Sequence, residues 1–288
     1  MIATGGHKAG RWSDLAPLPR SGFQMSSNHH GSTEAQVFAI ANQKGGVGKT
    51  TTAVNLGSAL AERGSRVLLI DLDPQGHLTV NMGVSNPDDL RLTVYDMLCE
   101  HNVGAEDVRL HSPGVGVDFL PANVELAGAE LQLVTEIGRE SVLREKLHPL
   151  LGDYDFVIID CPPSLGLLSI NALVVATDVI IPLQCEYFGM KGMEQLQRTI
   201  DRVRVKLNPR LRIHGILPTI HKGRTVHANE VLQEVSSHFG AMVYPFQVSD
   251  SIRFAECPLV GMSILQYAKD SDGASAYRKL AEQVLATR

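Results

Sequence analysis

The chain has only four cysteines in 288 residues, and Cys99, Cys161, Cys185 and Cys257 lie far apart with no C-x-x-C pair. This spacing speaks against a disulfide framework and against a cysteine-based metal site, and reads as reduced thiols in a cytoplasmic protein. Long apolar runs are missing as well. No stretch reaches the ~18 residues of a membrane span, and the longest candidates, residues 67–70 and 156–159, are strand-sized. The first 35 residues contain no continuous apolar segment of the secretory kind. They are rich in Gly, Ser, His and Pro and read as a disordered N-terminal extension, with Met25 as an alternative start, ahead of one domain over 36–288. Positive net charge is also absent. The formal charge is −5, which taken alone argues against a nucleic-acid partner.

What is present is a phosphate-binding loop with an extra lysine. Residues 44–52 read Lys-Gly-Gly-Val-Gly-Lys-Thr-Thr-Thr and follow an apolar run over 37–41. Closely spaced glycines let backbone N–H groups close around phosphates, and a helix opening after the loop aims its positive end at them. In the pattern G-x-x-x-x-G-K-[ST], Lys49 would reach the β/γ-phosphates and the Thr50 hydroxyl would bind Mg²⁺. The candidate nucleotide-binding residues are therefore Lys44, Gly45, Gly46, Val47, Gly48, Lys49, Thr50 and Thr51. The general pattern's first glycine falls on Gln43, and Lys44 follows it as the extra cation. A cation at the loop mouth neutralises phosphate charge locally or reaches into a neighbouring subunit's nucleotide.

Apolar segments alternate with helical ones along the rest of the chain. Strands are expected at 37–41, 66–70, 117–120, 156–159, 179–182, 213–217 and 242–244, and helices at 50–63, 167–176, 191–207, 226–239 and 273–286. Strands without polar alternation, separated by helices, imply an α/β fold: a P-loop NTPase with a mostly parallel twisted sheet flanked by helices on both faces. Ligands of such sheets sit at the carboxyl ends of the strands. Two strand ends there carry acids, Asp71-Leu72-Asp73-Pro74-Gln75-Gly76 and Asp160-Cys161-Pro162-Pro163-Ser164. Asp160 is the natural Mg²⁺ carboxylate. Asp71 and Asp73 alternate across one strand end, so only one faces a given ligand. Asp73 is assigned to orienting the attacking water and Asp71 to the Mg²⁺ shell or the surroundings of Lys49.

The basic residues are unevenly spread. Between residues 198 and 224 there are eight (Arg198, Arg202, Arg204, Lys206, Arg210, Arg212, Lys222, Arg224) against one acid, Asp201. Arg198, Arg202 and Lys206 recur at helical spacing and form one stripe.

Together these motifs are specific. Residues 41–52, 71–76, Leu-Pro-Ala-Asn at 120–123, Leu-Ala-Gly-Ala-Glu at 126–130, Asp-Cys-Pro-Pro-Ser-Leu-Gly at 160–166, Asn-Ala-Leu at 171–173 and Gln-Cys-Glu-Tyr-Phe at 184–188 resemble the ParA/Soj partition ATPases. The likeness runs from about residue 36 to the C-terminus. It implies an ATP- and Mg²⁺-dependent sandwich homodimer that hydrolyses ATP, weakly alone and faster with a ParB-type partner. Lys44 would be the catalytic lysine that crosses to the partner's phosphates, Asp73 the hydrolytic aspartate, and Asp160 the acid at the end of the second acidic strand. It also implies that the ATP dimer binds double-stranded DNA without sequence preference, so the protein would be cytoplasmic and nucleoid-associated. Arg224 and Arg253 match DNA-facing positions, which adds them and Lys222 to the stripe of Arg198, Arg202 and Lys206. One element departs from the family: Val248-Ser249-Asp250-Ser251 stands in place of the usual Ile-Pro-Arg-Asn next to the base pocket. Asp250 puts a negative charge where a positive one is usual, which predicts weaker DNA binding.

Related functions fit less well. A MinD-like membrane regulator would end in a basic amphipathic helix, whereas Leu280, Val284 and Leu285 near this terminus suit core packing. Related kinases end in a tyrosine cluster, and only Tyr267 and Tyr277 lie near this end. A nitrogenase-reductase-like protein needs cluster-ligating cysteines that the four present do not arrange. An operator-reading relative carries a further helix-turn-helix domain of roughly 100 residues, too large a core for the extension. A ParA-like ATPase positioning another cargo, a protein microcompartment or a chemoreceptor cluster, stays open as the alternative.

Overall fold

The computed structural model describes residues 35–184, 190–220, 233 and 235–288. The expected N-terminal extension, Lys222, Arg224 and most of the expected helix over 226–239 lie outside the described residues. Seven strands form one sheet: β1 (Gln36–Ile40), β2 (Val67–Asp71), β3 (Leu110–Ser112), β4 (Val117–Leu120), β5 (Phe156–Asp160), β6 (Asp178–Gln184) and β7 (Arg212–Thr219). Their order is β3-β4-β2-β5-β1-β6-β7. Every pairing is parallel except β3 with β4. The mostly parallel α/β sheet expected from the sequence is therefore the fold.

The absence of polar alternation has the expected cause. In β1 the side chains of Val37 and Ala39 enter one core layer, while Phe38 and Ile40 enter another on the opposite face. The first layer packs against α5 (Leu126–Leu133), α6 (Val142–Leu147), α7 (Leu167–Val175) and α8 (Met190–Lys206) through Leu126, Leu143, Leu173 and Leu196. The second is covered by α1 (Lys49–Ala61) and the C-terminal helix Asp272–Leu285 through Leu56, Leu60, Leu280 and Val284. Short helices α2 (His77–Asn81), α3 (Val94–Cys99) and α4 (Ala105–Val108) complete the stretch between β2 and β4. Sequence periodicity gave no sign of them or of β3. At four to six residues they are too short to show a helical repeat.

Two expectations shift. Strand β6 runs two residues beyond 182, to Gln184. The strand expected at 242–244 reduces to a single parallel bridge, Ile216 with Val243, entered from a 3₁₀ turn over Gly240–Met242. Tyr244 donates its N–H to the Ile216 carbonyl at 3.0 Å, but the next rung would need an N–H from residue 218, which is proline.

Buried polar groups tie the layers together. Asn171, fully buried on α7, donates to the carbonyls of Arg139 at 2.7 Å and Leu167 at 3.0 Å and accepts the N–H of Leu143 at 3.0 Å. One side chain thus joins α7 to the turn that opens α6. Asn171→Ala leaves those groups without partners and is expected to lower unfolding free energy by about 1–3 kcal/mol, measured by urea denaturation. A loss below about 0.5 kcal/mol, the usual range of a neutral surface change, would contradict this account of the contact.

Candidate nucleotide site

The sheet order decides where the site lies. Strand β1 sits between β5 and β6, and the chain leaves it into the glycine loop. Within that loop Gly46 and Gly48 have φ of 71° and 86°, the left-handed region that a side chain disfavours. Gly48 precedes α1, whose first turn has neither a side-chain cap nor an acidic residue. Its leading N–H groups are thus left to a ligand, and a helix start of this kind favours an anion.

The loop is held from three directions. Asn42 donates its amide to the Pro182 carbonyl at 2.7 Å and accepts the Lys44 N–H at 3.0 Å, which fixes the turn out of β1. Thr219, at the end of β7, donates its hydroxyl to the Val47 carbonyl at 2.7 Å. Lys49 is buried and donates its ammonium to the Lys44 carbonyl at 3.2 Å, so it lies across the loop. Burial lowers its pKa, and the nearby carboxyls of Asp160 and Asp73 oppose that shift. The Lys44 ammonium rests on the side-chain carbonyl of Gln184 at 3.0 Å, at the end of β6. Sequence reading did not assign roles to Asn42, Thr219 or Gln184. Their strand-end positions were the available signal.

Opposite the loop stand the acids. Asp71 and Asp160 end adjacent strands and are register partners. Both are fully buried. The Thr50 hydroxyl donates to Asp160 Oδ2 at 2.6 Å, so two of the three expected metal-binding side chains are in direct contact. Oδ1 of Asp160 is buried without any hydrogen-bond partner among the described residues. Burial and then the charge of Asp71 push the Asp160 carboxyl well above its ordinary pKa. A buried anion with an orphaned oxygen fits a divalent cation. Among the described residues no three His, Cys, Asp or Glu side chains could hold a metal by themselves. Thr50 and Asp160 with phosphate oxygens and water match the way Mg²⁺ is usually held.

Asp71 and Asp73 differ sharply in their surroundings. Asp71 faces inward: Oδ1 accepts the Asp73 N–H at 3.1 Å, and Oδ2 accepts the N–H and hydroxyl of Thr79 at 2.9 and 2.7 Å. Burial nevertheless pushes its carboxyl up to about 7, against the hydrogen bonds that lower it. Asp73 lies beyond the strand end, in a turn closed by Gly76 N–H to the Asp73 carbonyl at 2.9 Å, and its Oδ1 accepts the Gln75 N–H at 3.0 Å.

The basic stripe is on the outside of α8. Met193, Leu196, Ile200 and Val203 face the core, while Arg202 and Lys206 are exposed. Arg198 is also exposed but pairs with Glu194, an acid just ahead of the basic run. Arg204 pairs with Asp201 at 2.8 Å and Arg212 with buried Asp178 at 2.6 Å. Arg253 is exposed on the one-turn helix Arg253–Glu256. In the departing element, Val248 is buried and donates its N–H to the Pro218 carbonyl at 2.8 Å, one residue from Thr219. Asp250 is exposed.

A glycine loop entering a helix that opens with a lysine and a threonine, beside acids on neighbouring strand ends, defines a P-loop nucleoside triphosphatase. Comparison with known proteins narrows this. The family described as AAA domain matches residues 35–213. The chain is 45% identical over 253 residues to the chromosome partitioning protein ParA of Caulobacter vibrioides strain NA1000, covering 87% of this chain and 94% of that one. It is 44% identical over 251 residues to the sporulation initiation inhibitor protein Soj of Bacillus subtilis, covering 87% and 98%. A solved structure described as cobyrinic acid a,c-diamide synthase from Mycobacterium smegmatis, with bound ADP and magnesium, superposes with a TM-score of 0.77 at 43% identity, over 87% of this chain and 94% of that one. The chain belongs to the ParA/Soj family of P-loop ATPases. Among the described residues no helix is long and apolar enough to cross a membrane.

The Asp71 environment has a pH consequence. Its folded value of about 7 lies above the ordinary unfolded value of about 3.9. Between those values the folded chain keeps a proton that the unfolded chain has lost. The contribution to stability is thus full below pH ~4 and is lost as pH rises toward 7. Nucleotide-free protein is expected to lose stability from pH 5 to 8, and Asp71→Asn to flatten that slope whatever it does to absolute stability. Parallel denaturation profiles for the two proteins would contradict the assignment.

Proposed function

We propose that the chain is an ATP hydrolase whose ATP-bound homodimer binds DNA without sequence preference and acts in chromosome or plasmid partition with a ParB-type partner. The observation that carries this reading is the Thr50–Asp160 contact with its orphaned carboxylate oxygen, set opposite a glycine loop that has a lysine at its mouth. In this reading residues 45–51 bind the phosphates through backbone N–H groups and Lys49. Thr50 and Asp160 hold Mg²⁺, which neutralises charge on the phosphates. Asp71 acts from the neighbouring strand end by charge, since both its oxygens are occupied within its own loop. Asp73 orients the attacking water. Lys44 leaves Gln184 and reaches the nucleotide of the second subunit.

The description of the M. smegmatis structure suggests a different chemistry, amide synthesis. That chemistry needs a source of nitrogen, for instance an amide from which an activated thiol releases ammonia. Burial pushes the Cys99 and Cys257 thiols up to about 11, and burial followed by the Asp160 charge raises Cys161 further. None of these three is an activated nucleophile, and Cys185 lies outside the described residues; the partition reading is supported by the relatives named ParA and Soj, 45% and 44% identical over nearly their whole length. Positioning of another cargo uses the same ATPase cycle and differs only in the partner.

Two experiments test the proposal. Lys44→Ala is expected to abolish ATP-dependent dimers in sedimentation and to abolish turnover. Asp73→Ala is expected to bind ATP nearly normally, dimerise and stop turning over, because it removes only a group that acts in the chemical step. If Asp73→Ala loses nucleotide binding while Asp71→Ala gives the trapped dimer, the two aspartates have been assigned in reverse.

For DNA, Arg198, Arg202, Lys206, Lys222, Arg224 and Arg253 form the proposed surface, doubled in the dimer. Gel shifts with ATP, ADP and no nucleotide are expected to detect binding only with ATP, lost by a few hundred millimolar salt, an order-of-magnitude expectation. Arg202→Glu should weaken it equally across sequences, and more than Arg198→Glu, since Arg198 is already paired with Glu194. Equal binding in all three nucleotide states would defeat the proposed switch.

A further inference from the structure

One buried acceptor at the carboxyl edge of the sheet is left unused by the fold. Oδ1 of Asn123, three residues past the end of β4, has no hydrogen-bond partner among the described residues, and the side chain is only 5% exposed. Buried oxygens are normally paired, so an unpaired one calls for a donor that arrives with a ligand. Two other buried side-chain atoms share this condition among the described residues. Asp160 Oδ1 is accounted for by the cation, and Gln36 Oε1 lies at the start of β1, the edge of the sheet away from the glycine loop. The backbone around Asn123 is firmly held. Its carbonyl accepts the Leu126 N–H at 3.1 Å, and the Pro121 carbonyl accepts the Val94 N–H at 2.8 Å. Ala122 donates its N–H to the Thr79 hydroxyl oxygen at 2.8 Å.

The neighbour of this oxygen is the Asp73 turn. Strands β2 and β4 are parallel partners with Ile70 level with Leu120, and three residues on, Asp73 follows one strand and Asn123 the other. The two segments stay in contact there. Gly76, which closes the Asp73 turn, lies so near the Ala122 carbonyl oxygen that a Cβ on it would fall 3.0 Å away. In β4, Val117 and Phe119 enter the core layer under α1, while Leu120 and Ala122 enter the opposite one. Side chains alternate along an extended segment, which returns Asn123 to the side of α1 and the glycine loop. Asp73 is buried as well, and its Oδ1 accepts the Gln75 N–H.

We propose that Asn123 Oδ1 is a second acceptor for the attacking water, beside the Asp73 carboxylate. The inference rests on the ATPase reading above and adds a residue to its reaction. A water has two hydrogens to place. With one on Asp73 and the other on Asn123, its lone pair is turned toward the terminal phosphate; with Asp73 alone, the water is free to rotate about a single hydrogen bond. Asn123 takes no proton, because a carboxamide oxygen accepts a hydrogen bond and orients. An unpaired oxygen costs the nucleotide-free fold stability, and this role gives it a partner only when nucleotide and water are in place.

The test uses the full chain and reads ATP affinity, ATP-dependent dimers in sedimentation, and turnover separately. Asn123→Ala is expected to lower kcat about 100-fold, with the Kd for ATP within about twofold of wild type and dimers retained. Asn123→Ser keeps an oxygen acceptor on a shorter arm and should lose only about tenfold. A merely structural role would instead weaken ATP binding and lower turnover alike in both variants. The third measurement is the single-turnover rate of the double variant. If both groups hold one water, adding Asn123→Ala to Asp73→Ala should cost nothing further, whereas independent roles would multiply. Unchanged kcat in Asn123→Ala, equal losses in the Ala and Ser variants, or a multiplied loss in the double variant would overturn the proposal. Loss of ATP-dependent dimers in Asn123→Ala would also overturn it and give the oxygen to Lys44 of the second chain. A wild-type protein that does not turn over ATP would defeat the functional reading itself, and this inference with it.

Discussion

Two buried carboxylates side by side at the carboxyl edge of the sheet set the terms for everything around them. Asp71 and Asp160 are paired in register at the ends of adjacent strands and fully buried. Like charges that close, both buried from solvent, do not both ionise without a cation. Lys49 supplies one positive charge from across the loop, and Asp71 is partly relieved by three donors from its own turn. Asp160 receives only the Thr50 hydroxyl, and one of its oxygens has no hydrogen bond among the described residues. The edge is therefore unfinished electrostatically. In the proposed reading a divalent cation and a polyphosphate would complete it, with Lys49, Lys44 and the open start of α1 offsetting the phosphate charge. Binding of nucleotide and ionisation of the acids are in this way linked to one another.

How much of this was legible in the sequence follows from length and locality. The glycine loop, Lys49, Thr50 and the two acidic strand ends were readable because each motif is contiguous and its chemistry depends on spacing along a few residues. The parallel sheet was readable because β1, β2 and β5 carry apolar side chains on both faces. The stretch between β2 and β4 was not, since its helices span four to six residues and take their stability from tertiary contacts. Nor were the long-range supports legible: Thr219 reaching the Val47 carbonyl, or Asn42 reaching the Pro182 carbonyl, depends on packing between segments distant in the chain. The shortened strand at Val243 is a further long-range case, with Pro218 on the neighbouring strand β7 overriding an apolar pattern. Within the site, alternation separated Asp71 from Asp73 but could not say how completely Asp71 is used inside its own loop.

The surface is divided by charge in a way that the net value of −5 conceals. Helices α5, α7 and α8 cover one face of the sheet. The outer side of α8 carries the exposed bases Arg202 and Lys206, whereas segment 124–140 around α5 holds Glu125, Glu130, Glu136 and Glu140 against a single base, Arg139. A protein of this kind can approach a polyanion on one side while its overall charge keeps non-specific association weak. The pairing of Arg198 with Glu194, and the exposed Asp250 close to Arg253, both moderate the basic surface. That combination favours a DNA contact that depends on doubling in a dimer over one available to the single chain.

The central claim is that Lys44 completes the nucleotide site of a second subunit. Mixing Lys44→Ala protein with Asp73→Ala protein tests it most directly. If Lys44 acts across the dimer, a mixed dimer contains one intact site: the nucleotide on the Lys44→Ala subunit keeps its own Asp73 and receives Lys44 from the other chain. Two inactive proteins should then regain a fraction of wild-type ATP turnover on mixing, with the most at an equal ratio. If Lys44 serves only the nucleotide of its own chain, no combination contains an intact site, and mixtures that stay inactive at every ratio would contradict the account.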